Sequence, residues 1–285
     1  MSEPQHVITR FAPSPTGHLH LGHAYSALLA AKLAGDGKFI LRIEDIDQGR
    51  CRPEFEEVIY KDLAWLGLTW ETPVRRQSDC MDEYVKALNK LSLQGLIYPC
   101  FCTRKDIARE NETAGQAPHS TGGAIYPGTC RTLPNSTRQD RVDAGDAFAF
   151  RIDIAEAIEK AGPLTWTSAD EKGETTEIQA TPEIYGDVVL APKDAPTSYH
   201  LACTLDDHLQ GITLVSRGED LAAATHVHRL LQALLNLDSP TYHHHLLLTD
   251  ETGRRYAKRD KSVTLQSLRA DGKTLEDVMA MAKLG

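Results

Sequence analysis

Residues 6–45 read HVITRFAPSPTGHLHLGHAYSALLAAKLAGDGKFILRIED, and strand, turn and helix patterns follow one another within them. HVITRFAP alternates apolar and polar positions, with Val7 and Phe11 on the inward face of a strand. PSPTG is turn chemistry. From Gly22 the spacing becomes helical: Ala24, Leu28 and Ala31 share a face, and Gly35 or Gly37 supplies the stop. KFILRIED then returns to strand texture. A strand, a tight turn, a helix and a second strand predict two parallel strands joined by a right-handed crossover. The fold class is therefore α/β, with a Rossmann-type parallel sheet.

Downstream, Pro53 opens an acidic-start helix, RPEFEEVIYKDLAWLGL, striped by Phe55, Ile59, Leu63 and Leu66. MDEYVKALNKLSLQG predicts another helix, stopped at Gly95. From Pro99 the texture changes to Gly, Pro, Ser and Thr with little periodicity, which suits an insertion better than a core layer. AFAFRIDI and DVVLAP are strand-like. TSYHLACTLDDHLQGITLVSRGEDL reads as apolar strands around an Asp206–Asp207 turn, and HVHRLLQALLNL as a helix. The division that follows is 1–98 and 196–240 for the two halves of the catalytic domain, 99–195 for the insertion, and 241–285 for a C-terminal region with a basic loop.

With 285 residues, 41% of them hydrophobic, the chain suits one main domain with an insertion. No apolar run reaches 18 residues and the first ten lack a secretory pattern, so a cytoplasmic protein without a membrane partner is expected. In that compartment six cysteines are no disulfide framework, and the CFC pair points to metal instead. The net charge of −9 argues against a broadly basic nucleic-acid-binding surface, though not against a local cluster. Without a heptad or spare apolar helix, a monomer is expected.

HLHLGH places His20 and His23 around Gly22 at a helix start. Imidazoles beside unpaired backbone N–H groups suit phosphate, although a metal site or a solvated turn would show the same spacing. Near the other end, YAKRDKS carries Lys258, Arg259, Lys261 and Ser262, either a triphosphate contact or a solvated basic loop. Cys100 and Cys102, with Cys130 further on, suit tetrahedral zinc, the fourth ligand being His119, Tyr126 or a water. Cys51 and Cys80 have no partner spacing. His243, His244 and His245 alternate faces on a strand and receive no role; His18 sits at a turn position expected to be solvated. Asp206, Asp207 and His208 are expected in a turn beside the site, with a metal as the competing reading.

Taken together, RFAPSPTGHLHLGH with RIEDID resembles the HIGH-motif region of the glutamate-specific class I aminoacyl-tRNA synthetases. YAKRDKS resembles a variant of their KMSKS loop, and SYHLACTLDDHLQGITLVSRGEDL their second amino-acid-binding stretch. The motifs run in family order from Arg10 to Ser262, with 24 residues following Lys261, so no anticodon-binding domain is expected. A catalytic core of that length with a CxC cluster resembles the glutamyl-queuosine tRNA(Asp) branch. That resemblance implies tRNA-independent activation of L-glutamate by ATP with Mg²⁺, then transfer to the queuosine base in the anticodon loop of tRNA(Asp). The competing functions are a glutamate ligase with an amine or carrier-protein acceptor, and a non-catalytic tRNA-binding paralogue.

The resemblance also implies roles. Arg10, Ala12, Ser14, Glu44, Tyr199 and Arg217 would hold glutamate. His20, Gly22, His23, Lys258, Lys261 and Ser262 would hold ATP, with His20, His23 and Lys261 acting on its phosphates. Cys100, Cys102, Tyr126 and Cys130 would hold one structural Zn²⁺ in an inserted substrate- and tRNA-binding domain, and 241–285 would resemble a stem-contact region. KRDKS departs from the family's loop, and Cys203 stands where full synthetases often have Asn, which puts a side-chain contact there in doubt.

Overall fold

The computed structural model describes residues 6–113, 119–120, 123–248 and 263–284. β1 (Ile8–Phe11), α1 (Leu21–Ala34) and β2 (Lys38–Ile43) form the expected crossover unit, with β1 and β2 parallel, Ile8 beside Lys38 and Phe11 beside Leu41. α2 (Pro53–Trp65) leads to a short third strand, β3 (Arg75–Arg76), parallel to β2. α3 (Met81–Leu93) follows, stopping before Gly95 as its pattern predicted.

The strongest test of the α1 reading is which face is buried. The buried residues are Leu21, Ala24, Ala27, Ala30 and Ala34, while Leu28 and Ala31 are only partly buried. The expected stripe was one step out, because α1 is covered on two sides, by the strands and by a C-terminal helix, and its alanines permit close approach. Gly37 is required for steric reasons: a Cβ there would lie 1.9 Å from the carbonyl oxygen of Val7.

Residues 97–191 contribute to two places. β4 (Ile97–Cys100) runs into α4 (Arg104–Thr113), a ribbon of β5 (His119–Ser120) and β6 (Gly123–Ala124), and α5 (Asn135–Asp143). β7 (Ala149–Ile152) lies between β4 and β10 (Val189–Ala191) in an antiparallel sheet, beside α6 (Ile154–Ala161). Between them β8 (Thr165–Ala169) and β9 (Thr175–Gln179) form a hairpin whose first strand pairs parallel to a later one.

The chain then forms α7 (Tyr199–Leu209), β11 (Leu214–Gly218), α8 (Ala224–Leu235) and β12 (Thr241–His245), with β11 and β12 parallel. Of the expected strands around an Asp206–Asp207 turn, the second is present as β11, while the first and the turn are replaced by α7. Its apolar run is continuous enough to suit either element, and only the packing of Leu201 and Leu205 against α3, α6 and α8 selects the helix. Hydrogen bonds between Ile8 and Thr213 bring β11 alongside β1, so the parallel strands of both halves end on the same side.

α9 (Leu265–Ala270) and α10 (Leu275–Met281) pack Leu265, Leu268 and Val278 into the core of α1, α2 and β2. An ionic contact fastens them: Arg269 Nη1 lies 3.2 Å from the buried Asp62 of α2, whose oxygens have no hydrogen-bond partner among the described residues. Burial pushes the Asp62 carboxyl up to about 6 from an ordinary 3.8, against the pull of Arg269. The folded chain thus binds this proton more tightly than the unfolded chain. Its contribution to stability is present below about pH 4 and is lost as pH rises through about 6. Asp62→Asn is expected to raise the melting temperature at pH 8 by about 2–4 °C, and by less at pH 5; a pH-independent difference would refute this. No helix among the described residues is long and apolar enough to cross a membrane.

Candidate active site

Arg10 near the end of β1, Glu44 just beyond β2 and Arg217 near the end of β11 meet where open parallel sheets bind ligands. They line one cavity of about 280 Å³ together with Ala12, Ser14, His23 and Tyr199. Each residue expected to hold glutamate is therefore in this one space. A second cavity of about 750 Å³ adjoins it, sharing Ser14, Glu44 and Tyr199 as a common wall.

The cavity floor is a buried charge network. Asp207 Oδ1 accepts Arg10 Nε at 3.0 Å and lies 2.9 Å from Arg42 Nη1. Arg42 Nη2 lies 3.3 Å from Glu44 Oε1, and Arg10 also donates to the Ser216 carbonyl. Burial opposes charge on Asp207, but Arg10 and Arg42 outweigh it and hold the carboxyl below its ordinary value. Burial pushes the Glu44 carboxyl up instead, against Arg42 and Arg10. Asp206 points to the other side of α7, accepting Arg75 Nε at 2.8 Å, Gln77 Nε2 at 2.8 Å and the Tyr84 hydroxyl at 3.0 Å. The two aspartates are thus helix residues occupied by arginines, and His208 sits 3.1 Å from Asp238. Neither the turn nor the metal reading of this trio holds. Cys203 joins this network within the protein: its Sγ lies 3.7 Å from Arg42 Nη2 and 3.6 Å from Asp207 Oδ2.

Arg217 is bonded differently. Nη2 donates to Thr225 Oγ1 at 2.7 Å, Nη1 to the Tyr199 hydroxyl at 3.2 Å and to His228 Nδ1 at 3.3 Å, and Nε to His244 Nε2 at 3.3 Å. All four partners are neutral acceptors. Among the described residues no carboxylate lies within 4.0 Å of this guanidinium. Burial, with Arg217 adding to it, pushes His244 down to about 3 and His228 well below its ordinary value. The histidine triplet alternates faces as expected, yet His244 touches Arg217, a contact the sequence reading did not assign. His243 Nδ1 meets the Ala169 carbonyl, and His245 Nε2 lies 3.0 Å from Ser26 on α1.

At the start of α1, His20 is the N-cap: its Nδ1 accepts the Gly22 N–H at 3.1 Å, while its own N–H donates to His23 Nδ1 at 3.1 Å. Each Nδ1 is an acceptor, so the neutral rings carry their proton on Nε2, a donor for an anion. Their centroids are 3.8 Å apart at the positive end of the helix. His18 is not simply solvated: its Nδ1 is buried and its ring meets the Phe55 edge at 5.1 Å. Lys258, Lys261 and Ser262 lie outside the described residues. Three residues past Lys261, however, Thr264 forms a bridge to His20, and the Leu265 N–H donates to the Leu19 carbonyl.

Away from the cleft, Cys100, Cys102 and Cys130 hold their sulfurs within 4.8 Å of one another. Cys102 Sγ lies 3.5 Å from Cys130 Sγ and 3.6 Å from Tyr126 Oη. Three sulfurs bound at about 2.3 Å to one tetrahedral ion stand roughly 3.8 Å apart, so this set can hold a metal. Tyr126 Oη accepts the Cys130 N–H at 2.7 Å and has a lone pair left. The side chain of His119 lies outside the described residues. Cys51 and Cys80 form no disulfide among the described residues and are not part of this cluster.

Sequence reading missed Arg42, Thr225, His228 and His244 as members of the site, and placed Asp206 and Asp207 only in a turn beside it. A signal for part of it exists: Tyr199, Cys203 and Asp207 repeat every four residues, one face of a helix. Reading the segment as strands hid that face.

The model of the catalytic domain of the class I tRNA synthetases (E and Q) matches residues 6–284. A glutamyl-Q tRNA(Asp) synthetase of Rhodobacter capsulatus is 45% identical, over 98% of this chain and 100% of its own. One of Nocardia farcinica is 38% identical, over 95% and 82%. The solved glutamate tRNA ligase of Elizabethkingia meningosepticum, in complex with its amino acid, superposes with a TM-score of 0.72 at 28% identity, over 90% of this chain and 52% of that one. The chain thus spans about half the length of that solved ligase. It belongs to the class I tRNA synthetases of the glutamate and glutamine type, among the glutamyl-Q tRNA(Asp) synthetases, and is a ligase of that kind.

Proposed function

We propose that this ligase activates L-glutamate with ATP and Mg²⁺, without tRNA, and transfers the glutamyl group to the queuosine base in the anticodon loop of tRNA(Asp). The observation that carries the glutamate assignment is the pair of opposite charges in one small cavity: Glu44 on one wall and Arg217, without a carboxylate partner among the described residues, on another. An amino acid with an anionic side chain satisfies both. Arg217, Tyr199 and Arg10 hold its carboxylates, Glu44 takes its ammonium, and Ala12 and Ser14 close the strand-end loop over it.

A glutamate carboxylate oxygen then bonds to the α-phosphorus of ATP as the bond to the β-phosphate oxygen breaks, releasing pyrophosphate. His20 and His23 at the helix terminus, with Gly22 allowing close approach, stabilise the charge that develops; Lys258, Lys261 and Ser262 serve the same phosphates. No protein nucleophile takes part, so positioning dominates. In the second step a hydroxyl of the queuosine base attacks the adenylate carbonyl and AMP leaves. The adjoining cavity of about 750 Å³ offers this base an approach beside Ser14, Glu44 and Tyr199.

Purified protein is expected to catalyse glutamate-dependent ATP–pyrophosphate exchange without tRNA, and to label queuosine-containing tRNA but not tRNA from cells lacking queuosine. Absence of exchange, or label confined to the 3′ adenosine, would overturn the proposal. The cysteine cluster is assigned to one structural Zn²⁺ held by Cys100, Cys102, Tyr126 and Cys130, which ties β4 to the loop before α5. Metal analysis of Cys100→Ser is expected to show loss of about one equivalent, with a lower melting temperature; unchanged zinc content would remove the site.

A further inference from the structure

Arg10 and Arg217 line the glutamate cavity and Arg42 is buried beneath it, and the three are compensated in two different ways. Arg10 and Arg42 share Asp207, and Arg42 also faces Glu44 and Asp206. Their charges are matched inside the protein before any ligand arrives. Arg217, equally buried, has hydroxyls and imidazoles instead. Those acceptors fix the orientation of the guanidinium without cancelling its charge.

His228 is central to this arrangement. It is fully buried on α8, and Thr225, three residues earlier on that helix, contributes its hydroxyl to the same guanidinium. A guanidinium only donates, so His228 Nδ1 must be the unprotonated nitrogen. Its proton is on Nε2, which donates to His200 Nδ1 at 3.2 Å. His200, on α7 beside Tyr199, therefore sets the tautomer that lets His228 accept from Arg217. A proton on Nδ1 would instead face a cation 3.3 Å away. On the other side, the Thr225 hydroxyl receives Arg217 and lies 3.1 Å from His244 Nε2.

We propose that His228, oriented by His200 and seconded by His244, is a specificity-determining positioning residue: it anchors Arg217 through a neutral nitrogen, reserving the cation for an anionic substrate side chain. The inference rests on the glutamate reading above and deepens it. A substrate carboxylate supplies the missing counter-charge and accepts the Nη2 N–H that these four contacts leave over. A glutamine amide in its place brings no charge and turns an NH₂ group toward other donors. Rejection of glutamine then follows from leaving Arg217 uncompensated, which a carboxylate at position 228 would undo.

Asparagine and aspartate separate charge from shape, since both place an oxygen near the position of Nδ1. ATP–pyrophosphate exchange with glutamate and with glutamine is measured for wild type, His228→Asn and His228→Asp, with melting curves to establish folding. His228→Asn is expected to keep the glutamate KM within about threefold and to retain the preference for glutamate. His228→Asp is expected to raise that KM about tenfold or more, with kcat changed less, and to lower the glutamate-over-glutamine ratio of kcat/KM by a similar factor. If His228→Asp does not fold, His244→Gln and His244→Glu, at a less buried position, make the same comparison, since their longer side chains place an oxygen near Nε2, the atom His244 turns toward Arg217. Amide and acid variants with indistinguishable KM and preference would overturn the inference while leaving glutamate activation standing. A wild type without glutamate-dependent exchange would end both.

Discussion

Arg217→Gln is expected to lower kcat/KM for glutamate by about 10²–10³-fold while leaving the protein as stable as before, or more so. The activity estimate follows from removing one member of a desolvated, hydrogen-bonded charge pair, about 3–4 kcal/mol, at 1.4 kcal/mol per tenfold. The stability expectation follows from the contacts of Arg217: a buried guanidinium whose described partners are all neutral gains little Coulombic energy in the ligand-free protein. Arg217→Lys is expected to recover little, because an ammonium cannot reproduce the fork held by Thr225, His228 and His244. Exchange kinetics and thermal melting check both halves. A loss below about fivefold, or a marked drop in melting temperature, would contradict the arrangement.

Asp206→Asn should do the reverse, costing about 3–5 kcal/mol of stability, the amount typical of breaking a buried ion pair from one side. Asp206 is fully buried, and its oxygens receive Arg75, Gln77 and Tyr84, with Arg42 Nε 3.7 Å away. Neutralising it leaves two guanidiniums short of counter-charge in a low-dielectric interior, and an amide NH₂ aimed at donors. Denaturant unfolding measures the loss; a change under about 1 kcal/mol would show that Asp207 and Glu83 carry the load alone. Arg217 and Asp206 thus separate function from stability within one cleft. The first is a charge without a carboxylate partner among the described residues, and the second is a charge that holds two others.

How much of this was legible in the sequence varies with the range of the interaction. The β1–α1–β2 unit could be read because strand alternation, turn residues and glycine stops act over a few positions. His20 and His23 could be placed at a helix terminus for the same reason, and their mutual capping is itself local. The cysteine cluster was readable from CFC and a later thiol, since few other roles suit that spacing. The segment 199–209 was misread because a fully covered helix and a covered strand both present an apolar run, and its neighbours made the choice. His18 was misplaced because its burial depends on Phe55, on the next helix but one element away.

By itself, then, the sequence determined the crossover unit, the helix terminus with its two imidazoles, the thiol set and the order of motifs that marks the family. Only the tertiary structure decided which charges are cancelled and which are available. Arg10 and Asp207 stand 197 residues apart in the chain and 3.0 Å apart in the fold. Nothing in the neighbourhood of either residue announces that pairing. Nor does anything near Arg217 announce that its described partners are neutral. Charge compensation in a buried site depends on distances of a few ångströms at low dielectric, and those distances exist only once the strands and helices have packed.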